Sequence, residues 1–214
     1  MTAPPVLRAV RRATRWRNNG EMIRDIARVG WLHEDDIVLD PTYGRGTFWS
    51  EWEPKHLTRS DARPSADNVM RLDFRHLPFP GRSYDVVVFD PPYKLNGRPD
   101  AAVDERFGVH ERATVAQRMG LIFAGLDEAM RIASSRILVK CQDQVCNGQM
   151  HWQTDEITQH VTRPFPGPTP VALPVPHWRK ADRFDFLGFR EQPFGRSQQH
   201  ARANYSTLLV FVRT

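Results

Sequence analysis

Cysteine is almost missing, Cys141 and Cys146 being the only two in 214 residues. Two thiols build no disulfide framework, and neither has partners at zinc-ligand spacing, which argues against a stapled secreted scaffold and a cysteine-held metal. No metal site is expected. Long apolar runs are missing too, since no stretch approaches the roughly 20 residues that a membrane helix needs. Acids are absent before Glu21, where Arg8, Arg11, Arg12, Arg15 and Arg17 stand without the apolar centre or cleavage site of a secretory signal. The chain is therefore expected in the cytoplasm, off the membrane.

What is present is an ordinary globular balance, 40% apolar and 26% charged, of a length that suits one domain over 1–214. A basic segment (1–20), a loop insert (94–112) and a proline-rich loop (163–180) accompany it. The formal charge of +5 and pI near 9.6 favour a polyanionic partner. Short apolar runs read as strands at Ile37–Leu39, around His56–Thr58, at Val69–Leu72, at Tyr84–Phe89 and at Arg136–Val139. Between the last two, Val115, Met119, Ile122, Leu126, Ala129 and Ala133 recur at helical spacing and supply a parallel crossover. A helix near Trp152–Val161 follows, and Arg183–Phe189 and Tyr205–Val212 read as closing strands. The pattern predicts an α/β fold, a doubly wound, mainly parallel Rossmann-like sheet with an antiparallel C-terminal strand pair.

Ligands of such a sheet bind outside the strands' carboxyl ends. There, after strand one, lies Asp40-Pro41-Thr42-Tyr43-Gly44-Arg45-Gly46, whose glycines let the backbone turn tightly and meet a ligand closely. A dinucleotide fingerprint would want a third glycine where Trp49 stands, which disfavours a phosphate cradle. After strand four comes Asp90-Pro91-Pro92-Tyr93. An exocyclic amino group of a base is a poor nucleophile, because its lone pair is delocalised into the ring. Acceptors that draw on its two hydrogens favour a pyramidal, attacking nitrogen. Asp90 supplies one acceptor and the Pro91 carbonyl the second, with Pro92 stiffening the loop and Tyr93 offering a stacking face. The competing reading makes Asp90 a turn cap in a proline-stiffened loop.

Together, the glycine loop and Asp90-Pro91-Pro92-Tyr93 resemble the amino-methylating DNA methyltransferases, the adenine-N6 and cytosine-N4 group, and the match covers most of the chain. The segment from His200 to Phe211 also resembles the final strand of such enzymes. The resemblance implies S-adenosylmethionine as cofactor, with Asp40, Pro41, Tyr43, Gly44 and Gly46 around its methionine part. It implies Asp61 at the ribose, with Asp67 as the poorer candidate, and Asp73 at the adenine amino group. It also implies DNA methylation on a flipped base. Two departures stand out: no segment remains for a separate target-recognition domain, and Asn18 to Ile23 carry no clear motif.

Basic residues gather in the C-terminal third, and Lys94, Lys140, Arg179, Lys180, Arg196 and Arg202 are the expected phosphate contacts on DNA. Lys140 could equally be a snorkelling surface lysine. Gln142 and Asp143, at the end of strand five, should face the cleft. RNA, or another planar amide or amine, is the alternative acceptor, and a nucleic-acid-binding module that has lost catalysis is the alternative class.

Overall fold

The β-branched run Tyr84–Phe89, stopped by Pro91 and Pro92, sits at the middle of the sheet, where parallel neighbours on both sides demand apolar residues on both faces. The computed structural model describes residues 13–14, 16–95, 113–163, 177–187 and 205–214. Along these the elements are β1 (Ala13–Thr14), α1 (Asn19–Arg28), β2 (Ile37–Asp40), a 3-10 turn (Thr47–Trp49), β3 (His56–Asp61), β4 (Met70–Arg71) and β5 (Tyr84–Phe89). They continue as α2 (Val115–Ile132), β6 (Ala133–Cys141), β7 (Gln144–Cys146), β8 (Gln149–His151), α3 (Gln153–Thr162), β9 (Trp178–Leu187) and β10 (Tyr205–Arg213).

Eight of these strands form one sheet in the order β1-β9-β10-β6-β5-β2-β3-β4. Only β10 runs against its neighbours β6 and β9, so β9 is parallel to the rest. The expected closing pair is thus one reversed strand slotted between two forward ones. Alternation along the strands divides the core. Val86, Val88, Leu138, Leu208 and Val210 meet Met22, Ile23 and Ile26 of α1 on one face. Val87, Phe89, Ile137, Val139, Leu209 and Phe211 meet Met119, Ile122 and Leu126 of α2 and Ile157 of α3 on the other.

Local signals explain the helix starts. The Asn18 side chain caps α1 by accepting from the Glu21 N–H at 2.8 Å. Thr114 and Gln117 form a reciprocal capping box on α2. Three sequence boundaries are corrected. Val69–Leu72 shrinks to Met70–Arg71, an exposed edge pair held by two register partners on β3. Strand five extends to Ala133–Cys141, because β10 and β5 pair along it. The proline-rich loop ends before 178, because Trp178, Arg179 and Lys180 pair with Arg213, Val212 and Phe211 of β10.

Candidate active site

Three neighbouring strands each carry an α1-facing row that turns polar at its carboxyl end. Val38 leads to Asp40, Val88 to Asp90 and Leu138 to Lys140, and the register Val88↔Leu138 sets the last two side by side. These ends open on a cleft of about 660 Å³ lined by Asp40, Pro41, Tyr43, Gly44, Asp61, Asp73, Asp90, Pro91, Pro92, Tyr93, Lys94 and Lys140. Twelve of the residues singled out in the sequence thus share one cavity. Gly46 does not line it, and Asp67 is exposed outside it.

The glycine loop is organised by its own acid. Asp40, buried at the end of β2, accepts from the Thr42 N–H at 2.9 Å and from Trp49 Nε1 at 2.8 Å. Burial pushes its carboxyl up to about 7, against those hydrogen bonds and with help from nearby Asp90. Gly46 turns with φ 70°, and a Cβ there would fall 2.5 Å from the Tyr43 hydroxyl, so the glycine is needed to keep Tyr43 in place. Asp61, closing β3, holds the other side of the loop: its carboxylate accepts from the Gly44 N–H at 2.9 Å and the Arg63 N–H at 2.7 Å. Asp73 also lines the cleft, paired with the Arg75 guanidinium, whose hydrogen bonds hold its carboxyl below the ordinary value. A ligand reaching Asp73 would share it with that arginine.

Asp90 differs from the other acids. Its Oδ1 is buried without a hydrogen-bond partner, and its Oδ2 stands 3.9 Å from Lys140 Nζ. Burial raises its pKa and the Lys140 charge opposes the rise. Its N–H donates to Thr42 Oγ1 at 2.8 Å, tying the tetrapeptide to the glycine loop. Lys140 is not the phosphate-facing lysine expected. It is 5% exposed, donates to Asn19 Oδ1 at 3.0 Å, and lies 5.3, 5.7 and 5.8 Å from the ring centres of Phe48, Tyr93 and Phe186. Burial alone would lower its pKa, but Asp90 and Tyr93 outweigh this and hold it above the ordinary lysine value.

Three positions escaped the sequence reading. Asn19, in the first turn of α1, lines the cleft and meets Lys140. It sits in the stretch that carried no motif; a cap reading of Asn18, which the structure shows, is the signal that would have put a helix start there. Gln144 and Gln153 clasp the tetrapeptide: both side-chain amides donate to the Tyr93 carbonyl, at 2.9 and 2.8 Å. Their carbonyl oxygens accept from the N–H groups of Leu95 and Gln142. Neutral amides form no motif, but Asn147-Gly148, with φ 51° and 76°, is a hairpin signal that would have placed β7 and β8 beside the site. Gln142 and Asp143 do not line the cleft; Asp143 instead caps α3 through Thr154, at 2.9 Å to its N–H.

The expected phosphate contacts fare unevenly. Lys94 lines the cleft. Arg179 and Lys180 lie at the start of β9, opposite the carboxyl edge, because β9 runs parallel to β6 and Asp185, not Lys180, pairs toward the Cys141 end. They are corrected to positions away from the cleft. Arg196 and Arg202 lie outside the described residues.

No protein-family model matches the chain, and no curated protein matches it. Solved structures do resemble it. The magnesium protoporphyrin IX methyltransferase of Synechocystis PCC 6803 with bound SAH is 12% identical over 92% of this chain and 81% of its own, at a TM-score of 0.50. A putative methyltransferase from Bacillus halodurans C-125 is 9% identical over 91% and 99%, also at 0.50. The fold is the Rossmann-like one of these methyltransferases. No helix among the described residues is long and apolar enough to cross a membrane.

Proposed function

We propose that the chain is an S-adenosylmethionine-dependent methyltransferase that acts on the exocyclic amino group of adenine (N6) or cytosine (N4) in DNA. The observation that carries this reading is Asp90 Oδ1, a buried acceptor without a partner beside Pro91 and Tyr93 in the cleft. Such an atom costs about 1–3 kcal/mol when nothing binds it, a cost that a site accepts where a substrate group is to come.

The cofactor supplies a sulfonium methyl group as the electrophile. Asp61, at the end of β3, would hold the ribose hydroxyls, Tyr43 and Gly44 would line the methionine part, and Asp73 would meet the adenine amino group. Asp90 Oδ1 takes one amino hydrogen and the Pro91 carbonyl the other, which frees the nitrogen lone pair for attack. Positive charge then grows on that nitrogen, and the preplaced carboxylate stabilises it most in the transition state. When the N–CH3 bond has formed and the S–CH3 bond has broken, the nitrogen sheds a proton, and a carboxyl of raised pKa is well suited to receive it. Tyr93 stacks the extruded base. Arg45 and Arg63 line the cleft with Lys94 and suit the flanking phosphates.

The fold alone does not choose the acceptor, since one neighbour is named for a porphyrin. The test is incubation with unmodified DNA or RNA and labelled S-adenosylmethionine, digestion to nucleosides and mass spectrometry. N6-methyladenine or N4-methylcytosine from DNA is the expected product. Label in RNA alone would move the acceptor, and absence of cofactor binding by calorimetry would leave only a binding module.

A further inference from the structure

We propose that Trp152 is a stacking platform for the nucleotide beside the target base, and that the preferred substrate is therefore single-stranded DNA. This rests on the methyltransferase reading above and narrows its substrate class. The fold accounts for every other tryptophan of the six in the chain. Trp16, Trp31 and Trp49 donate their indole N–H to carboxylates, Trp178 lies against the Arg213 guanidinium, and Trp52 packs on the α1-side core. Trp152 is 54% exposed. It also occupies the N-cap of α3, where serine, threonine, aspartate or asparagine would stabilise the helix, and its side chain makes no cap hydrogen bond. Asp143 caps the helix instead, through the N–H and hydroxyl of Thr154. Neither packing nor capping explains an indole here.

Its place in the fold does. Trp152 is flanked by Gln153 and by His151, which pairs with Gln144 across the β7–β8 hairpin. Gln144 and Gln153 are the two residues whose amides hold the Tyr93 carbonyl. Leu95 fastens the same hairpin, its N–H donating to Gln144 Oε1 at 2.9 Å and its carbonyl accepting from Cys146 Sγ. The indole is thus rooted on the tetrapeptide side of the cleft, on a hairpin tied to the loop that would hold the target base. From Gln144 to Thr154 the chain carries no lysine, arginine, aspartate or glutamate. Such a strip offers amides and one flat aromatic face, which suits a base and not a phosphate. A base in the cleft belongs to a polymer, so its neighbour lies at the rim beside Tyr93. In a duplex the faces of that neighbour are held within the stack; in a single strand they are free to meet an indole.

The test uses the full-length protein with SAH and a labelled thymidine oligonucleotide that carries one adenine or one cytosine, alone or annealed to its complement. Fluorescence anisotropy should show tighter binding of the single strand. Replacing the nucleotide on either side of the target in turn by an abasic residue should lower wild-type affinity roughly 5- to 150-fold at one of the two positions. Trp152→Ser should lose the same factor on the intact strand and nothing further on the abasic one. Its SAH affinity should hold, and its melting temperature should equal or exceed that of the wild type, because serine is a favoured cap. Trp152→Tyr should keep most of the affinity. Trp152→Leu, apolar but without a flat ring, is the second variant if Trp152→Ser does not fold. Equal affinity for strand and duplex, no abasic effect, or unchanged binding by the ring-less variant overturns the inference while leaving a methyltransferase. No SAH binding would instead overturn the underlying reading.

Discussion

Replacing Gln153 by Glu changes little in shape and reverses one polar end. The Gln153 amide is fully buried and its orientation is forced, since the Gln142 N–H only donates and the Tyr93 carbonyl only accepts. A glutamate there keeps an oxygen for Gln142 but must present either an acid proton or a second oxygen to the Tyr93 carbonyl, 2.8 Å away. Protonated, it donates and restores the clasp; ionised, it is a buried charge beside an acceptor. Its pKa in the folded chain therefore rises above the unfolded value of about 4.3. A rise of about 3 units corresponds to roughly 4 kcal/mol. The sign is that of an acid raised on folding: the folded state holds the extra proton, so stability is intact below about pH 4 and lost as pH climbs through the folded pKa. For a chain of this size, 4 kcal/mol is about 8–16 °C of melting temperature. Melts of wild type and Gln153→Glu at pH 5 and pH 8 should therefore diverge with rising pH, and turnover should fall with the loosened Tyr93 loop. A gap of equal size at both pH values would refute the clasp.

Asp90→Ala should leave cofactor affinity nearly intact and lower turnover by about two orders of magnitude or more, measured by calorimetry and single-turnover transfer; near-normal turnover would remove Asp90 from the chemistry. Asp40→Ala should weaken cofactor binding first, because the loop loses its Thr42 and Trp49 anchors, and an unchanged affinity would take that loop out of the site. Asp40 also imprints a pH dependence: its carboxyl moves from 3.8 to about 7 on folding, so its contribution to stability falls as pH rises through that window. Melts of Asp40→Asn should lack this slope. Gly46→Ala should cost about 1–2 kcal/mol for the left-handed backbone alone and more where Tyr43 must move, read as a lower melting temperature and weaker cofactor binding.

Most of the sheet was legible because its signals are local. The Tyr84–Phe89 strand has its sequence boundaries, since valines favour the pleated centre and Pro91 cannot continue a ladder. The start of β9 was not legible. Its residues Trp178-Arg179-Lys180 follow a proline-rich stretch, and only pairing with β10, which lies some thirty residues away in sequence, makes them a strand. The cleft acids were legible from their places after strands, but their partners were not. Nothing in the sequence sets Arg75 on Asp73, or turns Lys140 inward to Asn19 rather than outward to solvent. Strand periodicity did contain the inward reading, because Lys140 continues the row of Leu138.

The reversed strand has a consequence for how the molecule is made. β10 comes last in chain order yet lies inside the sheet, and it alone joins β9 and β1 to β6. Until Leu208 to Phe211 emerge from the ribosome, β6 has an open edge and β9 has no forward-strand sheet to join. A nascent chain stalled before this strand should expose both unfinished edges, invite strand pairing with neighbours and depend on chaperones. The site on the β5 and β6 ends therefore has a complete scaffold only once β10 itself is free to pair, and a truncation before this strand would yield an aggregating product and not a weakened enzyme.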